Sequence, residues 1–137
     1  MKKYILIFAL LVSVVLSSTA QFTVGVKMPQ TTSDSIKTGA LTVTKYLTLQ
    51  GGYESVSIAT VVTKVSGTVA GTVYIAGTVD GTNYTAALDS LTLSNVTTNH
   101  KIFMVTGNPY WKYKIWGVGS GTMNGVLTVW YLARKHN

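Results

Sequence analysis

The chain has 137 residues, no cysteine, and 11 Lys/Arg against 4 Asp/Glu, for a formal net charge of +7. The absence of cysteine excludes disulfides and thiolate metal centres, and four scattered acids with two histidines leave little for acid–base or metal chemistry. The length suits one domain with one hydrophobic core, and the charge favours anionic partners such as polysaccharide or a membrane surface.

In chain order, Lys2 and Lys3 precede an uninterrupted apolar run from Tyr4 to Leu16, and Ser17, Ser18, Thr19 and Ala20 follow. A basic start, a short apolar stretch and small residues before Gln21 make the three-part pattern of a secretory signal. The run is short for a membrane span. Residues 1–20 are expected to be a signal peptide, with a retained hydrophobic arm as the competing reading. Residues 21–39 read as a short strand (Phe22 to Lys27) and a polar linker containing Pro29. The folded domain is expected over residues 40–137.

From residue 40 onward, short apolar or alternating runs are cut by Gly, Asn and Asp. They predict strands over 41–49, 56–65, 71–79, 84–93, 100–106, 110–117 and 122–132. No apolar period of a long helix occurs after residue 20. The expected fold is all-β: a single antiparallel β-sandwich, jelly-roll or Ig-like, of about 7–8 strands behind an N-terminal hydrophobic segment. Asp80, Gly81 and Asn83, and likewise Gly107 and Pro109, are assigned turn-structural roles. Asp and Asn bond nearby backbone, Gly tolerates positive φ, and Pro fixes φ.

Alternation assigns faces in two runs. In 110–116, Trp111, Tyr113 and Ile115 form the expected core face. Tyr110, Lys112, Lys114 and Trp116 form a wet face and a candidate binding surface. In 126–132 both faces are apolar, which fits a strand covered on two sides or an oligomer contact. Leu127, Val129 and Tyr131 are the candidate oligomer contact.

No residue is assigned a catalytic or metal-binding role. His136 lies in the terminal tail, and His100 lacks the context of a nucleophile elbow. Asp80 and Asp89 could be imagined as a carboxylate pair, but Asp80 sits in a turn sequence. A calcium site in that loop would have a single carboxylate. No cofactor is expected.

Val65 to Val73, Gly77 to Tyr84, Thr106 to Tyr110 and Gly119 to Met123 carry a Gly-Thr hairpin, a Gly-Thr-Val-Asp-Gly-Thr-Asn-Tyr turn, a Gly-Asn-Pro-Tyr strand entry and a Gly-Ser-Gly-Thr-Met turn. This order resembles small β-sandwich virion proteins of tailed phages, including the crAss-like phages of Bacteroidetes. It covers about half the chain and consists mostly of turn chemistry. The resemblance implies a structural module of a capsid or tail, often oligomeric, without catalytic residues. The N-terminus is instead similar to Bacteroidetes export signals.

The expected function is a non-catalytic structural subunit that self-associates or decorates a larger assembly, either a phage virion or an exported surface assembly. The alternative is a secreted carbohydrate-binding module. Expected partners are copies of itself, other structural subunits or polysaccharide. Nucleic acid is disfavoured because the lysines are scattered. Membrane contact is expected only through residues 4–16, if they are retained. A cleaved signal implies export to the periplasm, surface or medium; otherwise the expected location is the virion.

Overall fold

The computed structural model describes residues 25–29, 34–39, 43–50, 53–107 and 109–135. The hydrophobic segment 1–20 and the first half of the Phe22 to Lys27 run lie outside the described residues. The strands are β1 (Val26–Lys27), β2 (Ser35–Lys37), β3 (Val43–Thr48), β4 (Tyr53–Ser66), β5 (Gly71–Thr78), β6 (Asp89–Leu93), β7 (Thr98–Thr106), β8 (Lys112–Gly119) and β9 (Asn124–Lys135). No α-helix occurs among the described residues.

Two antiparallel sheets pack face to face. The back sheet runs β1-β9-β4-β7, with β2 also on β9; the front sheet runs β3-β8-β5-β6. The pairing is nested. β5 pairs with β6, β4 with β7, β3 with β8, and β2 with β9. The chain is therefore one long hairpin whose tip is the 79–88 connection. Rolling it up adds the β4–β9 and β5–β8 pairings. Of the two sandwich types expected, this is the jelly roll.

The strands alternate as a two-layer fold requires. Val56, Ile58, Val62, Phe103, Leu127 and Val129 point inward from the back sheet, and Val43, Leu47, Val73, Ile75, Tyr113 and Ile115 from the front sheet. Thr60 is buried among them, and its hydroxyl donates to the Lys101 carbonyl at 3.3 Å. That bond satisfies a polar group that would otherwise be costly in the core.

A sandwich has two open flanks between its sheets, and each is closed by a charge pair. On one flank, Lys45 of β3 points inward and its Nζ lies 2.9 Å from Asp34 Oδ2; both are buried. The same ammonium donates to the Pro29 carbonyl at 2.7 Å. Just beyond Asp34, Ser35–Lys37 pair with β9 of the back sheet, while Thr38 bridges to Gly119 of the front sheet. Ile36, fully buried, fills the corner against Gly117 and Gly119, where a Cβ on Gly117 would meet Ile36 Cδ1 at 2.4 Å. On the other flank, Lys101 of β7 bonds Asp89 Oδ1 at 2.6 Å and the Ser90 carbonyl at 2.8 Å. The Asn99 amide and Ser94 exchange bonds beside them.

Three expectations are corrected. The polar stretch before residue 40 is not simply a linker, because it contains β2 and a fully buried isoleucine. The sandwich accordingly begins at β1 rather than at residue 40. The run expected as a strand over 84–93 is a strand only from Asp89. Its first part is a loop that docks back on β5 through Thr85 N–H to Gly77 O and Leu88 N–H to Ile75 O.

Removing one member of a buried ion pair strands the other without solvent. Asp34→Ala is expected to lower unfolding stability by about 3–5 kcal/mol, while Asp34→Leu with Lys45→Met recovers most of the loss. Urea unfolding of the three proteins checks this.

Candidate interaction surfaces

The outward face of the front sheet is built from alternate residues of its four strands. Register places Thr44, Trp116, Tyr74 and Ser90 in one row across the sheet, and Tyr46, Lys114 and Ala76 in the next. Thr48, Lys112 and Thr78 form a third. The Tyr74 and Trp116 rings stack at 5.1 Å with 22° between planes. Lys112 Nζ lies 5.0 Å from the Tyr46 ring centre, and Lys114 Nζ lies 5.1 Å from Trp116 and 5.9 Å from Tyr84. Tyr84 comes from the 79–88 loop, which folds over this end of the sheet and sets its ring 6.1 Å from Tyr46. Ala76 is buried although its parity is outward, consistent with cover by this loop.

Three of the four expected binding residues, Lys112, Lys114 and Trp116, share this face. Tyr110 does not. It precedes β8, so strand parity does not apply to it. Its ring packs inward on Gly77, where a Cβ would meet the ring at 2.4 Å, and edge-on to Tyr113 at 5.9 Å. Burial pushes the Tyr113 phenol above its ordinary pKa, and Tyr110 adds to the effect. Trp111, expected in the core, is 42% exposed; its indole N–H donates to the Val79 carbonyl at 2.7 Å. Tyr46 and Tyr74 were not singled out from the sequence. Alternation could have marked Tyr46 and Tyr74 as outward. Only tertiary structure brings Tyr84 to them.

The tip of the rolled hairpin is held by Asp80. Its Oδ1 accepts from Thr82 N–H at 2.9 Å, Asn83 N–H at 2.7 Å and the Thr78 hydroxyl at 2.7 Å. Its Oδ2 accepts from the Asn83 amide at 2.6 Å. Gly81 takes φ +80° between these donors and Gly107 takes φ +59° in its own turn, both in the left-handed region. Pro109 is exposed beside that turn, and Asn108 lies outside the described residues.

The outward face of the back sheet has a different character. Leu127 and Val129, expected to contact a second subunit, are fully buried, and Tyr131 packs against the core. These three form the sandwich interior. The opposite parity of β9 faces out, with Trp130 at 40% and Leu132 at 38% exposure. Across the sheet on β7, Ile102 is 61% and Met104 is 74% exposed. Between them β4 contributes Ala59, level with Trp130 and Ile102, and Ser57, level with Leu132 and Met104. Short side chains thus make a trough between two apolar ridges. Lys27 of β1 extends over the Trp130 ring at 5.5 Å.

Among the described residues, no three His, Cys, Asp or Glu side chains gather into a metal-holding group, and no helix is long and apolar enough to cross a membrane. His100 is exposed on β7. Compared with family models, curated proteins and solved structures, the chain matches none.

Two outcomes test these assignments. The bonds from Thr82 N–H, the Asn83 amide, Asn83 N–H and the Thr78 hydroxyl hold the Asp80 carboxyl far below the usual carboxylate range. A folded-state pKa depressed in this way stabilises the fold at every pH above the unfolded value of about 3.9. The stabilisation is lost as pH falls towards the folded value. The melting-temperature gap between wild type and Asp80→Ala is therefore expected to be constant from pH 8 to pH 5, and to narrow only on strong acidification. Thermal melts from pH 8 down into strong acid measure it. Tyr110→Ala is expected to behave as a core truncation, lowering stability by about 3 kcal/mol, whereas Lys112→Ala leaves the melting temperature nearly unchanged.

Proposed function

We propose that the protein is a non-catalytic structural subunit that assembles with copies of itself through the outward face of the back sheet. The observation that carries this reading is the exposure of Trp130, Leu132, Ile102 and Met104 on one sheet face. Contiguous apolar patches of this kind mark interaction sites on soluble proteins. The relief of the patch favours a second copy. Under a two-fold axis, the Ile102–Met104 ridge of one copy meets the Ser57–Ala59 trough of the other. A patch holding both ridge and trough can complement itself, as an isologous interface requires. Jelly rolls recur in viral capsids and in lectins; this is an analogy of fold, and it is compatible with a place in a virion or an exported surface assembly.

Size-exclusion chromatography with light scattering tests the proposal. The wild type is expected to run as a dimer or larger, and Ile102→Lys with Met104→Lys as a monomer with unchanged circular dichroism. A wild type that stays monomeric at high concentration, or a variant of unchanged mass, overturns it. The N-terminal residue of the native protein separates the two settings: Gln21 implies export, and Met1 a retained arm.

A further inference from the structure

The front sheet carries a second surface, whose chemistry differs from the apolar back face. Its centre is the stacked pair Tyr74 and Trp116, flanked by Lys114 and Lys112, with Tyr46 and Tyr84 beside them. Tyr46 is 51% exposed, so the cluster opens to solvent rather than closing a core.

The lysines are placed unusually. Among the described residues, the ion pairs engage Lys45 with Asp34 and Lys101 with Asp89. Asp80 is occupied by the donors of its own turn. Lys112 and Lys114 instead rest over aromatic rings at 5.0–5.9 Å. An ammonium over a ring keeps its full charge and its N–H donors free for an anion, because the ring face offers only a diffuse negative potential. The two lysines are two residues apart on one strand and so point the same way, about 7 Å apart at the backbone. Rings and cations are interleaved on one side of a sheet.

We propose that this face binds an acidic polysaccharide. The carboxylates of successive uronate residues pair with Lys112 and Lys114, while sugar C–H edges, weakly positive, lie against the negatively polarised ring surfaces of Trp116, Tyr74 and Tyr46. Neutral glycans offer the second contact without the first. Duplex DNA offers anions without sugar faces open to the rings. The site is independent of the back-sheet interface and stands or falls separately from it.

The test is affinity electrophoresis of the purified protein in gels holding polygalacturonate, with neutral dextran and duplex DNA as parallel arms. Retardation is expected in polygalacturonate alone. Lys112→Ala with Lys114→Ala, and separately Tyr46→Ala, are each expected to weaken it about tenfold or more, equivalent to about 1.4 kcal/mol. Lys37→Ala, which removes an exposed charge from β2, is expected to leave it unchanged. Tyr46 is half exposed and outside the core, so its removal reads binding even where Trp116→Ala perturbs folding. Absence of retardation overturns the proposal. So does equal retardation by duplex DNA, or loss that Lys37→Ala matches, since either reduces the effect to general basic charge. Full binding by Tyr46→Ala overturns the aromatic part and with it the site.

Discussion

Nested pairing is the constraint on which the rest of this structure depends. Each strand from β2 to β9 bonds to the one equally distant from the hairpin tip, whose turn Asp80 holds. A rolled hairpin of this kind closes its ends with loops, but it leaves two flanks where inward backbone and side chains would meet water. Here the flanks are sealed by Lys45 with Asp34 and by Lys101 with Asp89. The two pairs differ in environment. The first is buried, so its loss leaves a desolvated charge. The second is about half exposed and contributes mainly position. The Lys101 hydrogen bond, ahead of that from Ser90 N–H, lowers the Asp89 carboxyl below its ordinary pKa.

This division of labour shapes the outside of the molecule. The chain has only four acids, and three of them, Asp34, Asp80 and Asp89, hold flanks and tip. What the two broad faces show is therefore set by apolar residues and lysines. The back face has apolar ridges with small residues between them. The front face alternates rings with cations. A surface with more carboxylates would have neutralised Lys112 and Lys114 locally; here aromatic rings seat them instead.

Much of the fold was legible in the sequence because turn chemistry is local. Asp80-Gly81-Thr82-Asn83 marks its own hairpin, and the runs around it alternate with the sheet period. What was not legible depends on parity, or on partners distant in sequence. β2 is a short strand with a single apolar residue, Ile36, and its necessity arises from two glycines on β8 that leave room for it. Alternation in β9 separates Leu127 from Trp130 without saying which side is the interior, since both sides are apolar; the structure puts Leu127 and Val129, the expected oligomer contact, inside. Tyr110 lies just ahead of β8, where the period has not begun. The front face was half visible, through Lys112, Lys114 and Trp116, while Tyr84 reaches it only because the loop folds back on β5.

The two faces lie on opposite sides of one thin sandwich, and this arrangement has a consequence for valency. When two copies join back to back, their front faces look away from each other. Such a pair has no means of gripping one strand at two points, so it gains no avidity on a lone chain. Were both proposals to hold, the pair would bridge separate strands, acting as a crosslinker rather than a clamp.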